Sequence, residues 1–367
     1  MPFFDAKEME IFILEKYGCK NGEYVPDGMA VGRVTEVHRD QYMVMTEYGE
    51  ARAVLKGTFF RDVEIRGDFP CVGDFVHLRH NASGVSQIAS VLPRFSKFSR
   101  ANFGGKGAGF VKTILEQVVC TNFDYVFITT SLNQDFNMER ILRYLTQARQ
   151  SGGKPVIILT KADLCADFED FVREVRQNAA DVGVHAVSSH SGLGLDELEQ
   201  YLQPGKTVVF LGMSGVGKSS LLNVLMGREV MDVSDIREDD ARGRHTTTHR
   251  ELFMLPSGAM VIDTPGMREM GFYGAEDGIS AEFDDVEDLF EGCKFRSCTH
   301  DAEQGCAVLA AIKDGSLSKE RWRRYLAQSR ENKFVQDKIA HAQGLRKEGK
   351  SFAKWTKEMK KGGKIRY

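Results

Sequence analysis

The chain is 367 residues long, 42% hydrophobic and 28% charged, with a formal net charge of −3. Those proportions are ordinary for a globular protein of two or three domains, and no apolar run approaches the about 18 residues that a bilayer-spanning helix requires. The small net charge hides an asymmetry, because residues 319–367 hold 16 Lys/Arg against 5 Asp/Glu while the preceding 318 residues hold 33 against 47. A basic tail on an acidic body suits a polyanionic partner as well as it suits a solvated helical face.

In chain order, MPFFDAKEMEIFILEKYG carries Asp5, Glu8 and Glu10 where a signal peptide is basic. Residues 1–27 are therefore expected to form an amphipathic helical extension of a cytoplasmic chain. Cys19, Cys71, Cys120 and Cys165 are scattered singly, as small buried hydrophobes of a reducing compartment are. Residues 28–95 contain MAVGRVTEVH, QYMVMTEYG, EARAVLKG, DFVHLRH and SGVSQIASVL, five short alternating stretches. They predict a small antiparallel barrel of OB type, with an SH3-like barrel as the alternative. The glycine-rich, basic PRFSKFSRANFGGKGAGFVK reads as a tether, and the linker is placed at 96–118. From 119 to 279 apolar strands (YVFITT, PVIILT, VHAVS, TVVFLG, AMVID) alternate with helices expected at 137–150, 168–178, 195–202 and 218–226. That alternation predicts an α/β domain with a parallel sheet covered on both faces. Residues 280–367 are expected to be helical, with a Cys/His cluster and the basic tail.

One stretch carries a phosphate cradle. Gly212-Met213-Ser214-Gly215-Val216-Gly217-Lys218-Ser219-Ser220 follows an apolar strand and opens a helix, the context a P-loop needs. Its glycines let backbone N–H groups turn toward phosphates at a helix N-terminus. Lys218 would reach the β- and γ-phosphates, and Ser219 would ligate Mg²⁺. Asp263-Thr264-Pro265-Gly266 ends another apolar strand and fits the switch that reads the γ-phosphate, with Asp263 behind Mg²⁺ and Gly266 offering its N–H. The polar segment between them is a candidate order–disorder switch. One of Thr246, Thr247 and Thr248 should supply a second Mg²⁺ ligand, and Thr247 is favoured.

The base reader sits upstream. Thr160-Lys161-Ala162-Asp163 lies about fifty residues before the P-loop rather than after it. The Asp163 carboxylate can accept both guanine N1–H and the exocyclic amine, which adenine does not offer, and buried polar readout of that kind discriminates by about 10⁴ or more. The stem of Lys161 can lie over the ring. Thr160 stands where asparagine is commoner, and Ser188 and Ser189 end the next strand, where backbone contacts to guanine O6 belong. Base reader, base contact, P-loop and two switches are thus all present in a circularly permuted order, which a parallel sheet tolerates because contacts depend on spatial neighbours.

Cys293-x4-Cys298-x-His300-x5-Cys306 supplies three thiolates and an imidazole, a closed tetrahedral set for one structural Zn²⁺. Unligated buried thiols are the plainer alternative. Arg321, Arg323, Arg324, Lys333 and Lys338, with the end RKEGKSFAKWTKEMKKGGKIRY, can neutralise RNA phosphates, and Trp355 can stack on a base or simply pack.

In combination, SLNQDFNMERILRYL, KPVIILTKADL, VSSHSGLGLDEL, FLGMSGVGKSSLLN, GRHTTTHREL, VIDTPGMRE and CKFRSCTHDAEQGCAV resemble the ribosome small-subunit-dependent GTPase A family (RsgA, also called YjeQ), which are circularly permuted GTPases. The resemblance covers most of residues 120–310. It implies an OB barrel, a zinc-bearing C-terminal domain, and a GTP hydrolase that binds the small ribosomal subunit and its rRNA during late maturation and couples hydrolysis to release. Met267 stands where many GTPases place a water-orienting glutamine. Turnover is therefore expected to be slow alone and stimulated by the subunit, with His245 the candidate for positioning water and His249 a weaker one. A monomer with no membrane partner is expected. Two other readings are an RNA chaperone in which nucleotide is mainly structural, and a P-loop ATPase.

Overall fold

The computed structural model describes residues 14–19, 25–38, 41–57, 59, 69–102, 115–132, 136–231, 250–263 and 276–362. They fall into two compact units, one of residues 1–99 with 118–270, the other of residues 100–117 with 271–367.

The first unit begins with β1 (Ala30–Val37), β2 (Tyr42–Thr46), β3 (Gly49–Leu55), β4 (Phe75–Arg79) and β5 (Ser86–Val91). In β2 the side chains alternate between buried and half-buried, the period-two signature of a sheet with one covered face. The pairing order β1-β2-β3-β5-β4 returns to β1, which closes a five-stranded barrel, and β3 and β5 run parallel. Val34, Val44, Ala53, Val76, Leu78 and Ile88 fill it and are fully buried. This is the OB-type barrel expected. The linker expected at 96–118 is bounded by two strands, β6 (Lys97–Asn102) and β7 (Leu115–Thr121), which pair with each other.

The remaining strands of this unit are β8 (Tyr125–Ser131), β9 (Lys154–Thr160), β10 (Gly183–Ala186), β11 (Thr207–Leu211), β12 (Arg250–Met254) and β13 (Met260–Asp263). They lie in the order β10-β9-β8-β11-β13-β12, all parallel except β12. β11 is buried at every position, as a central strand covered on both faces must be. Three helices connect them: α1 (Met138–Gln150), α2 (Phe168–Asn178) and α3 (Lys218–Met226). Asn137 caps α1 by accepting from the Arg140 N–H at 2.9 Å.

A fourth helix expected at 195–202 is instead a run of tight turns around Asp196–Leu198. Its N–H groups reach back three residues, Leu198 to Leu195, Tyr201 to Leu198 and Leu202 to Glu199. Three residues per turn stack Leu195, Leu198 and Tyr201 on one face, and all three pack into the core that also holds Phe127 and Phe210. The expected N-terminal helix lies largely outside the described residues; within it Leu14 is buried against Val31 and Phe75.

Barrel and sheet are fused. β1 pairs antiparallel with β12, with Glu36 opposite Glu251 and Val37 opposite Arg250. Beside this seam Arg33 is buried, 1% exposed. Its guanidinium donates to the carbonyls of Tyr17 (2.5 Å), Asn122 (2.7 Å) and Gly73 (3.3 Å) and stacks on the Phe75 ring, 5.0 Å from its centroid. Burial lowers the Arg33 pKa to about 10, opposed by Asp124, Cys19, Asp74 and Tyr17, so the group stays charged at neutral pH. Nearby, buried Asp74 takes both nitrogens of a fork from Arg94 at 2.7 Å and the Thr121 hydroxyl at 2.7 Å.

The second unit contains α4 (Glu276–Glu282), α5 (Asp284–Glu291), α6 (Ala307–Asp314) and α7 (Lys319–Gly362) around Ile279, Phe283, Val286, Val308, Ala311 and Leu317. No helix among the described residues is long and apolar enough to cross a membrane. Replacing Arg33 by methionine is expected to cost about 3–5 kcal/mol, because three buried carbonyls lose their donor. Urea unfolding of the Arg33→Met chain measures it, and a loss under 1 kcal/mol would show that water or rearrangement satisfies those carbonyls.

Candidate functional site

Parallel strands deliver their C-terminal ends to one edge of a sheet, and here four of them bring the expected site residues to it. Thr160 ends β9, Gly212 follows β11, Asp263 ends β13, and Ser188 and Ser189 lie just beyond β10. Ligands of open α/β sheets collect at that edge.

The glycine-rich loop needs glycine for two separate reasons. A Cβ on Gly212 would stand 2.3 Å from the Thr129 carbonyl oxygen, so the chain turns off β11 only where there is no side chain. Gly215 and Gly217 have φ of +77° and +99°, the left-handed region that turns successive N–H groups toward one point. α3 starts at the next residue. The Lys218 ammonium donates to the carbonyl of Gly212 at 2.7 Å and to that of Met213, which holds it over the loop. The Arg140 guanidinium meets the sulfur of exposed Met213.

Opposite the loop, Lys161 takes a left-handed φ of +59° and the chain tightens into a single turn at Ala162–Leu164. The buried Ala162 N–H donates to the Val187 carbonyl at 3.1 Å, which ties this turn to the segment of Ser188 and Ser189. The Ser188 hydroxyl accepts the N–H groups of His190 (3.2 Å) and Ser191 (3.1 Å). A cavity of about 790 Å³ lies between these parts. Thr160, Lys161, Asp163, Ser188 and Ser189 line it together with Gly217 and Ser220 and, among others, Asn223, Arg228 and Glu229. A second cavity of about 750 Å³ beside β10 has no glycine-rich loop.

Thr160 joins the two ends of the first cavity. Its hydroxyl lies 2.5 Å from the Val216 carbonyl in the phosphate loop and 3.1 Å from the Thr130 carbonyl. With one proton to give, it favours the closer acceptor. Sequence alone indicated only a hydroxyl where asparagine is commoner; the target, 56 residues away, had no local signal. The walls from Asn223, Arg228 and Glu229 were likewise missed: Asn223 lies within α3, and only their position after the helix-ending Gly227 marks Arg228 and Glu229.

Of the switch residues, Asp263 is described, whereas His245, Thr246, Thr247, Thr248, His249, Gly266 and Met267 lie outside the described residues. Asp263 pairs with Glu251, which pairs with Glu36, so three carboxylates stand in one row across β13, β12 and β1. Burial raises the Glu251 pKa, reinforced by Glu36, Asp263 and Glu50 and opposed by His38.

In the second unit, Cys293, Cys298, His300 and Cys306 bring their ligand atoms within 4.8 Å of one another. A tetrahedral ion with Zn–S bonds of about 2.3 Å needs sulfurs about 3.8 Å apart, and Cys293 and Cys306 are 4.0 Å apart. His300 Nδ1 lies 3.6 and 3.5 Å from those two sulfurs. The N–H groups of Ala307 and Leu309 donate to the sulfurs of Cys293 (3.4 Å) and Cys306 (3.5 Å). The donor set therefore fits a structural metal. The basic cluster at the start of α7 is less uniform than its sequence. Arg321 is committed internally, to Asp285 at 2.5 and 2.7 Å and over the Phe283 ring, so its charge is locally balanced. Arg323, Lys333 and Lys338 are exposed.

Residues 91–273 match the family described as RsgA GTPase. Small ribosomal subunit biogenesis GTPase RsgA 2 of Listeria monocytogenes is 45% identical over 321 residues, 87% of this chain and 89% of that protein. The RsgA of Methanosarcina acetivorans is 40% identical over 295 residues, 80% of this chain and 77% of its own. Among solved structures, YjeQ from Thermotoga maritima aligns with a TM-score of 0.59 at 25% identity over 82% of this chain and 96% of that one. YloQ, described as a circularly permuted GTPase, aligns with a TM-score of 0.58 at 24% identity over 86% and 98%, a likeness of fold.

Two substitutions probe this geometry. Thr160→Val keeps the shape of the side chain and removes its bond to the phosphate loop, so affinity for a fluorescent guanine nucleotide is expected to fall about five- to tenfold; unchanged affinity would remove the hydroxyl as a brace. Because Glu251 has a folded pKa above its unfolded value, its ionised form opposes folding above that pKa, and the penalty fades as pH falls. Glu251→Gln should therefore raise the melting temperature at pH 8, with the gain shrinking toward the ordinary glutamate range. A gain that grows on acidification contradicts the assignment.

Proposed function

The chain belongs to the RsgA GTPase family, and we propose that it is a GTP hydrolase acting on the small ribosomal subunit, with Asp163 and Lys218 gripping opposite ends of one nucleotide. The observation that carries this reading is the shared cavity, lined by Asp163 together with Gly217 and Ser220. Asp163 accepts the two guanine donors, Lys161 covers the ring, and Ala162, Ser188 and Ser189 frame the base edge. The loop from Gly212 through Met213, Ser214, Gly215, Val216 and Gly217 to Ser220 holds the phosphates with its N–H groups, and Lys218 neutralises the β- and γ-oxygens.

Mg²⁺, when bound with GTP, supplies charge neutralisation between the β- and γ-phosphates. Ser219 and Thr247 would ligate it, Asp263 would orient its water shell, and Gly266 would report the γ-phosphate. With Met267 unable to hold a water, His245 positions the attacking water, and turnover alone is slow until the subunit assists. One Zn²⁺ on Cys293, Cys298, His300 and Cys306 braces the second unit. The domain order is a helical extension at 1–27, barrel at 28–95, linker at 96–118, nucleotide domain at 119–279 and metal-binding basic domain at 280–367. A cytoplasmic monomer without a membrane partner fits these parts, as does contact of the exposed cations of α7 with rRNA.

Multiple-turnover GTP hydrolysis with and without purified small subunits tests the reading. Stimulation of at least tenfold is expected, and Lys218→Ala should abolish it. Asp163→Asn replaces an acceptor by a donor, so preference should move from guanine to xanthine nucleotides, whose base carries an oxygen where guanine carries its amine. Retained guanine preference in Asp163→Asn would place the base elsewhere.

A further inference from the structure

The metal-binding segment presents a feature that metal binding does not require. Between Cys293 and Cys298 the chain reads Lys294-Phe295-Arg296-Ser297, and all four residues are exposed. Phe295 is 49% exposed, a large apolar side chain at the tip of a short polar loop. The flanking cysteines belong to the ligand cluster, so both ends of the loop are anchored when the metal is bound.

Lys294 is held in place by its neighbours. Its N–H donates to the Gly305 carbonyl at 3.0 Å. Its aliphatic stem lies on Gly305, where a Cβ would stand 3.0 Å from the Lys294 Cβ and 3.3 Å from its Cδ, at a backbone φ of +83°. Only glycine leaves that bed open. The Lys294 ammonium then sits 5.4 Å from the centre of the Phe295 ring. Arg296 projects from the next position, and no acidic residue lies between Cys293 and His300. The nearby Glu303 is turned inward, accepting from the N–H of Thr299 at 2.8 Å and its hydroxyl at 2.5 Å.

We propose that this loop is a stacking finger for single-stranded rRNA, with Phe295 covering one unpaired base and Lys294 and Arg296 meeting the phosphates on either side. A lone aromatic face between two cations complements a nucleotide, whose base is flat and whose backbone is anionic. A protein-docking face would call for a broader apolar patch than one ring. The inference rests on the small subunit being the partner, and it names the part of that partner which this loop takes.

The test uses the full chain loaded with zinc, bound to purified small subunits and, separately, to a short fluorescein-labelled polyuridine. Phe295→Ala is expected to weaken both about tenfold, while Phe295→Tyr keeps wild-type affinity. Lys294→Ala with Arg296→Ala should flatten the salt dependence of polyuridine binding by about one unit of slope. Zinc content and unstimulated GTP hydrolysis should stay at wild-type values in all of these, because the loop is outside the nucleotide cavity. Wild-type affinity in Phe295→Ala overturns the proposal. So does full affinity in Phe295→Leu, which keeps an apolar surface without a ring and would assign the loop to a protein contact. Should Phe295→Ala lose zinc, the Tyr and Leu variants at full zinc content decide. Failure of the wild-type chain to bind small subunits would instead sink the proposed function, and the polyuridine arm would still judge the finger.

Discussion

Everything proposed for the nucleotide depends on one property of parallel sheets: every strand ends at the same edge, whatever its place in the chain. β9 and β11 are separated by β8 in space and by a complete βα excursion in sequence, yet Thr160 and Gly212 leave the sheet at the same edge. A reader that precedes its phosphate loop is therefore no obstacle. The permutation changes which segments are joined and leaves unchanged which segments touch. Thr160 makes the point at atomic scale, since its hydroxyl donates to the Val216 carbonyl in the glycine-rich loop.

A second constraint fuses this sheet to the barrel. Arg33 is a full charge without an ion-pair partner in direct contact; its guanidinium is dissolved in backbone carbonyls from three chain segments. Burying it is costly unless every one of those carbonyls is where the fold puts it, so the residue specifies the joint more than it stabilises it. The same joint tolerates an opposing term. Glu36, Glu251 and Asp263 stand in register across three strands, and like charges directly opposite one another are unfavourable. Burial raises the pKa of Glu251, and Glu36 and then Asp263 beside it add to the shift. Local rules are broken here beside the residue proposed to stand behind Mg²⁺, and such breaches concentrate at functional sites.

The sequence made the motifs legible and left the long-range partners hidden, for a physical reason. Gly212 to Ser220, Asp163 and the Cys/His cluster announce themselves because their chemistry depends on spacing along the chain. The strands of the barrel and sheet were readable because burial imposes a period of two or a continuous apolar run. Arg33 was not readable: an arginine in an alternating strand looks solvent-facing, and the carbonyls that hold it lie 16, 40 and 89 residues away. The partner of Arg321 was equally hidden, since Asp285 lies 36 residues earlier. The stretch 195–202 carried helical spacing, but Leu195, Leu198 and Tyr201 satisfy a three-residue turn just as well.

The metal cluster holds a comparable position in the second unit. Its core is small, and Cys306 is itself one of the buried residues of that core while Cys293 and Cys298 pack against it. His300 stacks on Phe290 at 4.4 Å, and Phe290 meets Trp322 and Tyr325 from the start of α7. The ligands thus belong to the hydrophobic cluster and are not appended to it. Clusters of this size rarely suffice alone, and a bound ion adds folding free energy directly. Holding the ligands also holds the loop between them, and Gly305, one residue before Cys306, reserves the space on which Lys294 rests. A metal held on this cluster would tie core packing and the presentation of Phe295 into one structural event.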